Sequence, residues 1–431
     1  MDNQINKVYV ETFGCSFNQA DSQIMKGLLK EASFEVVDNI DDADLIILNT
    51  CYVKTPTQNR IVNKIQSLQK LFPDKKLVIA GCMVEIDQKM LEKIASTCSW
   101  IGPHMIKDIA KLVKDTLDGK IIRLFGAKKD IKIELPKSRD NPIIDIAQIS
   151  EGCAGACSYC CTRFARKKLF SYPIESIVHE VESAVKGGCK EIWLTAQDTG
   201  AYGLDIGTSL PKLLDAVCKI EGKFFVRVGM MNPLFIKAIV NELIEIYKND
   251  KIFKFLHLPV QSGSDKVLQL MKRGYKAKDF IEIVEKLRNN IPHLTLSTDI
   301  IVGFPGEEDD DFQKTIELIE KARPDVVNIS KFGPRPMTVA SKMEQINAET
   351  INKRAKVLHD FVKEIRLENN RKWLNWFGEI LIDEVGAIKN TYVGRNFAYK
   401  PIVLKEKVDV GSFVGAKIVD VCGNYLVGKL M

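Results

Sequence analysis

The segment Gly152-Cys153-Ala154-Gly155-Ala156-Cys157-Ser158-Tyr159-Cys160 carries more information about this chain than any other stretch. Its cysteines are separated by three and then by two residues, so one short loop can bring three thiolates together. Soft thiolates select iron–sulfur clusters, zinc or copper(I). With only three ligands, a four-iron cluster would keep one iron open to a substrate or cofactor. The alternatives are a zinc site with a distant fourth ligand, or cysteines that only pack in a core.

The composition is that of a globular protein with several domains. The chain has 431 residues, 45% hydrophobic and 27% charged, which is enough for two or three cores. Eleven cysteines without a secretory leader favour reduced thiols and metal ligation over disulfides. No apolar run is long enough to span a bilayer, so we expect a cytoplasmic protein with no membrane partner. The net charge of +6 permits an RNA partner without requiring one.

The first hundred residues alternate between strand and helix patterns. Periodicity predicts strands over residues 7–13, 44–50 and 76–80, with helices over residues 18–31 and 56–72. Such alternation is typical of a parallel sheet with helices on its faces.

A cysteine follows each of these three strands: Cys15, Cys51 and Cys82. Because the carboxyl ends of parallel strands lie along one edge, we expect a second three-cysteine set there. The alternative is that each cysteine is a small buried hydrophobe. Cys161, which is adjacent to Cys160, is expected to be spare. The remaining cysteines are expected to be packing residues: Cys98, Cys189, Cys218 and Cys422.

After a weakly patterned linker near residues 128–141, the strand–helix alternation resumes. Strands are predicted over residues 143–149, 191–195, 225–229, 254–258, 295–302 and 326–332, with helices between them, for example over 173–187 and 277–289. Six such strands predict an incomplete (β/α) barrel whose chemistry lies in the loops after the strands. Segments 195–203, 257–264 and 298–307 offer glycines and polar groups in those loops.

Two basic features have competing interpretations. Arg227 lies within a strand-like run, so it either needs a buried anionic partner or reaches solvent at the strand end. The string 163–168 after the cysteine loop either contacts phosphate, through Arg163 and Arg166, or is a solvated charged turn.

From residue 348 to the end of the chain, the sequence pattern differs from the strand–helix alternation before it. A long amphipathic pattern over residues 348–372 predicts a connecting helix. Short strands are predicted over residues 380–384, 391–393, 400–404, 416–421 and 425–429, which suits a small barrel of the oligonucleotide-binding type. Aromatic and basic residues alternate between 391 and 400, so Tyr392, Arg395 and Phe397 are candidates for base stacking and phosphate contact. The alternative is a barrel whose aromatics form its core.

The cysteine spacing of the loop, with Tyr159 before the last cysteine, is similar to the radical-SAM signature. Together with the first three cysteines and the terminal β-barrel, the whole chain resembles the methylthiotransferase family. That resemblance implies an α/β chain with a parallel-sheet auxiliary-cluster domain over 1–125 and a partial (β/α)6 radical-SAM barrel over 140–340. A connecting helix over 345–372 and an RNA-binding TRAM β-barrel over 373–431 would follow.

Within the family, residues 194–203, 205–208 and 392–396 look most like the archaeal and eukaryotic branch. That branch methylthiolates C2 of N6-threonylcarbamoyladenosine next to the tRNA anticodon. One departure concerns Lys167, since the family usually has Ala-Arg-Gly where this chain has Ala165-Arg166-Lys167. A lysine there puts the geometry of the local loop in doubt.

The resemblance also implies cofactors and partners. One 4Fe-4S cluster on Cys153, Cys157 and Cys160 would cleave S-adenosyl-L-methionine to give a radical, and a second on the other three cysteines would carry the sulfur. The expected partners are tRNA, an electron donor of flavodoxin or ferredoxin type and a sulfur source, but not DNA. The implied cofactor-binding residues are Tyr159 (through its backbone), Gln197, Arg227, Gln261 and Ile301.

Three rival functions remain from the sequence. A methylthiotransferase could act on another tRNA adenosine or on a ribosomal protein, although the aromatic and basic tail favours RNA. A sulfur-insertion enzyme of biotin-synthase type would not need such a tail. A non-catalytic RNA-binding protein with structural metal sites would normally close each site with a fourth ligand.

Overall fold

The computed structural model describes residues 6–127 and 130–431. The first part of the chain forms a six-stranded parallel sheet with strand order β2-β1-β3-β4-β5-β6. Its strands are β1 (Lys7–Thr12), β2 (Glu35–Val37), β3 (Leu45–Thr50), β4 (Lys76–Gly81), β5 (Ser99–Ile101) and β6 (Arg123–Leu124). The helices are α1 (Ser16–Glu31), α2 (Thr55–Leu71), α3 (Cys82–Ile86), α4 (Gln88–Ile94) and α5 (Ile109–Leu117). The three strands and two helices predicted here are confirmed.

The burial of β3 explains why this sheet has helices on both faces. Every residue of the run Leu-Ile-Ile-Leu-Asn-Thr is buried, which a strand shows only when both faces are covered. Alternate residues enter two different cores: Ile46 and Leu48 pack in one, and Leu45 and Ile47 in the other. The carboxyl end of β3 is therefore held rigidly between its neighbours.

The central part forms a partial barrel of six parallel strands in two three-stranded sheets, β11-β10-β7 and β12-β13-β14. Between β11 and β12 only an isolated bridge joins Val226 to Ile252 among the described residues. The strands are β7 (Ile144–Gln148), β10 (Glu191–Thr195), β11 (Phe225–Val228), β12 (Phe255–His257), β13 (Thr295–Val302) and β14 (Val326–Lys331), with a short hairpin of β8 (Ser150–Glu151) and β9 (Phe170–Ser171). The helices are α6 (Thr162–Arg166), α7 (Ile174–Lys186), α8 (Leu210–Cys218), α9 (Pro233–Tyr247), α10 (Asp265–Leu270), α11 (Ala277–Asn290) and α12 (Asp309–Ala322). The predicted barrel is confirmed.

The last part consists of a long helix and a closed five-stranded barrel of order β15-β16-β17-β19-β18. The helix is α13 (Ala348–Arg371), and the strands are β15 (Phe377–Val385), β16 (Tyr392–Arg395), β17 (Pro401–Leu404), β18 (Phe413–Val421) and β19 (Leu426–Leu430). Ile380, Ile402 and Leu426 lie fully buried in its core. Both the connecting helix and the small barrel agree with the sequence pattern.

Contacts between the three parts orient the candidate site. The hydroxyls of Ser16, at the start of α1, and Thr195, at the carboxyl end of β10, are 2.8 Å apart. The first sheet therefore meets the open carboxyl end of the central barrel. At the other junction, the backbone N–H of Lys254 donates to the carbonyl of Phe397, at 2.7 Å.

Two predictions concern chain organisation. The domain limits at residues 125, 140, 340, 345 and 372 stay predictions, as does the linker over 128–141, whose residues 128 and 129 lie outside the described part. Within the described residues, no helix is both long enough and apolar enough to cross a membrane.

Candidate active site with two cysteine sets

The first cysteine set lies in the loop that leaves the central barrel after β7 and β8. A Cβ atom placed on Gly155 would lie 3.3 Å from the Cys153 Sγ and 4.0 Å from the Cys157 Sγ, so the loop wraps both sulfurs around one point. All three thiols of the set are free and half-buried. Gly152 has φ +83°, and a side chain there would meet the Lys168 carbonyl at 2.1 Å. Only glycine can therefore open this loop.

Charged groups surround the first set. Burial and then the nearby Asp198 raise the pKa of Cys153 to about 12. Burial also raises the pKa of Asp198 to about 6. The Nη1 of Arg273 donates to the Cys157 Sγ at 3.4 Å. With a pKa this high, the Cys153 thiol stays protonated at neutral pH until a metal displaces the proton.

The second set lies at the carboxyl edge of the first sheet, where the sequence placed it. Thr12 pairs with Asn49, and Thr50 pairs with Gly81, so the cysteines that follow these strands are neighbours. A Cβ atom on Gly14 would lie 3.1 Å from the Cys51 Sγ. Burial, followed by the proximity of Cys82 and Cys15, raises the pKa of Cys51 to about 12. The structure therefore gathers three thiols at this edge.

The donor sets fit clusters better than single ions. Across the described ranges, no three His, Cys, Asp or Glu side chains converge closely enough to hold one metal ion. A cluster of four irons is larger than a single ion and takes its thiolates at wider separation. Three soft thiolates in each set match the ligands of such a cluster, which keeps one iron open.

Three of the predicted cofactor-pocket residues lie together beside the first set. Ile301 donates its backbone N–H to the carbonyl of Gln261 at 3.0 Å, and Tyr159 and Ile301 pack in the same hydrophobic cluster. Gln261 is 8% exposed with φ +74°, and its Oε1 has no hydrogen-bond partner in the part described. A buried acceptor without a partner is costly, so it indicates a ligand with a donor group. Gln197 accepts the Gly152 N–H at 2.6 Å and so holds the loop.

Arg227 differs from both interpretations of the sequence. It is half-buried, it forms no ion pair with a described carboxylate, and three aromatic rings lie around its guanidinium. Its Cζ lies 5.0 Å from the ring centre of Trp193 and 5.3 Å from those of Phe255 and Tyr399. Cation–π contacts of this kind stabilise a cation that has no ion pair. Its Nε is buried without a hydrogen-bond partner in the described part, and its assignment to the cofactor pocket stays a prediction.

Arg166 corrects one RNA-binding expectation. It is 1% exposed and forms ion pairs with Asp21 at 2.7 Å and Glu151 at 2.9 Å. A side chain enclosed in this way does not contact phosphate, and the prediction is wrong. Arg163, three residues earlier, is exposed and lies over the ring of Phe164.

The surroundings of Tyr392, Arg395 and Phe397 in the terminal barrel bear on the expectation that they contact RNA. Phe397 packs against Trp373 and Trp376, so it belongs to the core and not to a stacking face. Tyr392 is half-buried against the same core. Arg395 pairs with Asp383 at 2.7 Å and with Glu384 at 3.2 Å, which uses its charge. These contacts agree with the core alternative for Phe397 and Tyr392, and RNA binding by the three residues stays a prediction.

The sequence missed a buried polar network that links the two cysteine sets. The Asn18 Oδ1 accepts from the Arg166 Nη2 at 2.8 Å and from the Cys82 thiol at 3.7 Å. Burial alone would raise the pKa of Glu151, but Lys132, His104 and Arg166 hold that pKa well below its usual range. No local pattern signals such a network, because its members are scattered along the chain from residue 18 to residue 166.

The spare cysteine is placed as expected. Cys161 is buried, and its thiol donates to the carbonyl of Tyr52 at 3.4 Å, away from its neighbour Cys160. Cys98 and Cys189 are also buried, whereas Cys218 and Cys422 are half-buried.

Lys167 adopts a conformation that suits glycine. Its φ is +65° and its ψ is −153°, a region that other residues occupy only under strain of about 1–3 kcal/mol. We expect Lys167→Gly to raise the free energy of unfolding by about 1 kcal/mol. Relief of the backbone strain is offset in part by the entropy that glycine adds to the unfolded chain and by loss of the part-buried ion pair with Glu85. Denaturant unfolding of the reconstituted protein measures this. Lys168→Gly, at an ordinary φ, should destabilise instead, and equal effects would contradict the strain.

The sequence also gave no signal for Arg273, because the run 272–275 carries no ligand pattern. It also donates to the Pro259 carbonyl at 2.8 Å, so its position is fixed. We expect Arg273→Met to lower cleavage of S-adenosyl-L-methionine about 10- to 100-fold and to shift the cluster's electron paramagnetic resonance spectrum, because an outer partner of a ligand is lost. Lys272→Met, at the exposed neighbour, is the control. An unchanged spectrum in Arg273→Met would show that the contact has no electronic effect.

The second set opens onto a cavity of 560 Å³. Cys15 and Cys51 lie in its wall, together with Phe13, Lys54 and Arg60. The Arg60 guanidinium lies over the Phe13 ring at 5.7 Å. The cavity therefore combines thiols, an aromatic face and cations.

A partial barrel with a three-cysteine loop after its first strand defines a radical-SAM protein, and the Radical SAM superfamily matches residues 147–319. Uncharacterized protein family UPF0004 matches residues 7–102. The fold is similar to that of the radical S-adenosylmethionine methyltransferase TsrM from Kitasatospora setae, with a TM-score of 0.57 and 15% identity over 78% of this chain and 75% of that chain.

Two relatives define the family more narrowly. The probable threonylcarbamoyladenosine tRNA methylthiotransferase of Methanothermobacter thermautotrophicus is 46% identical over 420 residues, covering 97% of this chain and 98% of the relative. The human threonylcarbamoyladenosine tRNA methylthiotransferase is 37% identical over 439 residues, covering 99% of this chain and 74% of the relative. The chain belongs to the threonylcarbamoyladenosine tRNA methylthiotransferase family.

Proposed function

We propose that this protein transfers a methylthio group to C2 of N6-threonylcarbamoyladenosine in tRNA. The observation that carries the proposal is the meeting of two three-cysteine sets at one place. The Ser16–Thr195 contact and the Arg166–Asn18 bond join the edge of the first sheet to the mouth of the barrel. Full-length similarity to tRNA methylthiotransferases supports the choice of substrate.

The cofactors are two 4Fe-4S clusters and S-adenosyl-L-methionine. Cys153, Cys157 and Cys160 would hold one cluster, and Cys15, Cys51 and Cys82 the other. When bound, the first cluster would supply the electron for reductive cleavage of S-adenosyl-L-methionine and the second would supply the sulfur, while a second molecule of S-adenosyl-L-methionine would supply the methyl group.

The protein's own groups position these partners. Gln197 fixes the start of the cysteine loop through Gly152, and Arg273 fixes its middle through Cys157. The unpartnered Oε1 of Gln261 is free to accept a hydrogen bond from the cofactor.

The reaction needs partners beyond the chain. We include a one-electron donor of flavodoxin or ferredoxin type and a source of sulfur, because each turnover consumes electrons and one sulfur atom. We infer a cytoplasmic location from the tRNA substrate.

The experiment is an anaerobic assay with the reconstituted protein, dithionite, sulfide and S-adenosyl-L-methionine. Two matched tRNA samples are compared, one with N6-threonylcarbamoyladenosine and one with unmodified adenosine at that position. Mass spectrometry of the nucleosides is expected to show a 2-methylthio product only from the modified tRNA. A product from unmodified tRNA, or from ribosomal protein instead of tRNA, would contradict the proposal and favour an alternative substrate.

A further inference from the structure

A second cavity lies between the three parts of the chain. It has a volume of 570 Å³ and is bounded by β14, by one face of α13 and by the turn between β18 and β19. Lys54 reaches it from the first domain, and Asn328, on β14, lines it from the barrel. We call this cavity the basic cleft. Its size is within the range of ligand sites in proteins.

The titratable side chains that line the basic cleft, among the described residues, include basic residues and no carboxylates. His359, Lys363 and Arg366, on α13, join Lys54 in its wall, and none of the described lining residues is acidic. The carboxylate of Asp299 lies outside the lining of the cleft and already accepts hydrogen bonds from His257 and Asn328.

The cations of the basic cleft are not used by the fold. Lys54 and Lys363 are exposed and Arg366 is half-buried, and none of the three forms an ion pair with a described carboxylate. The Nε of Arg366 is buried and has no hydrogen-bond partner among the described atoms. Arginine presents a planar set of donors that matches phosphate, so an unpaired one in a basic cavity indicates an oxyanion ligand.

Two features favour an RNA strand over a small anion. Tyr425, on the β18–β19 turn, is 37% exposed in the wall of the cleft and offers a ring for stacking. Lys54 also lines the 560 Å³ cavity of Cys15 and Cys51, so the two cavities adjoin. A strand with phosphates in the basic cleft could therefore place a nucleotide at the cysteines.

We propose that the basic cleft, through Lys54, Lys363 and Arg366, binds backbone phosphates of the tRNA beside the nucleotide that is modified. This inference rests on the proposed function and names the surface that grips the substrate. It is separate from the stacking face predicted at Tyr392 and Phe397, which pack against the barrel core. The ligand chemistry is a polynucleotide phosphate with an adjacent base on Tyr425.

The test is a tRNA-binding titration at several salt concentrations with the reconstituted protein. Lys363→Gln/Arg366→Gln should weaken binding about tenfold or more and lower the slope of log K against log salt by about 2, since each lost phosphate contact releases fewer ions. In the methylthiolation assay, KM for tRNA should rise while kcat at saturating tRNA is kept. Lys363→Arg/Arg366→Lys should restore affinity and slope.

The matched control is Lys286→Gln/Lys314→Gln, which removes two exposed lysines from α11 and α12, outside the cleft. An equal loss in this control would mean that only net charge matters, and would overturn the inference. Wild-type affinity and slope in Lys363→Gln/Arg366→Gln would overturn it too, while the proposed function would stand if wild type still modified tRNA. Absence of tRNA modification by wild type would instead defeat the proposed function.

Discussion

Cys157→Ala is expected to abolish the cleavage of S-adenosyl-L-methionine. Cys157 is the middle ligand of its loop, and its sulfur is the one that receives the Arg273 hydrogen bond. A set reduced to two thiols cannot hold a four-iron cluster with a single open iron. The measurement is 5′-deoxyadenosine formed per chain after reduction with dithionite.

The control for this variant is Cys161→Ala. Cys161 is a neighbouring buried thiol whose hydrogen bond goes to a backbone carbonyl and not toward the set. It should retain cleavage near the wild-type level. Cleavage by Cys157→Ala at that same level would sink the assignment of the first set.

Cys51→Ala is expected to stop methylthiolation while leaving the cleavage of S-adenosyl-L-methionine largely intact. Cys51 lies at the edge of the first sheet with Gly14 and Cys82. It is not one of the three cysteines of the barrel loop that would hold the cofactor. The two activities should therefore separate in this variant. Both 5′-deoxyadenosine and the modified nucleoside are measured in the same reaction.

Cys98→Ala tests whether any buried cysteine of that domain has the same effect. The Cys98 thiol contacts Gln69 and lies in the core ahead of β5. Its loss should leave both products unchanged. A wild-type yield of modified nucleoside from Cys51→Ala would count against a second cluster.

Sequence periodicity predicted the strands well because a strand that is buried along its length reads as a mostly apolar run. β3 is buried at every position, and β13 is buried at most of its positions, so each gives a clear local signal. The second cysteine set followed from topology alone, since parallel strands share a carboxyl edge. That inference needed no side-chain contact.

Residues whose roles depend on distant partners could not be predicted. Arg166 looked like a surface cation in a basic string, but Asp21 comes from α1, far earlier in the chain. Arg227 looked like a ligand for an anion, but Tyr399 arrives from the terminal barrel. Phe397 packs against the barrel core because Trp373, which follows α13, lies against its ring. Neighbours in sequence carry no information about such partners.

The central claim is that both three-cysteine sets hold clusters in the same chain. The most direct measurement counts iron and sulfide per chain after anaerobic reconstitution of wild type, Cys157→Ala and Cys51→Ala. We predict about eight irons and eight sulfides in wild type, and about four of each in either variant. About four irons in wild type, or a variant that keeps the wild-type count, would contradict the claim.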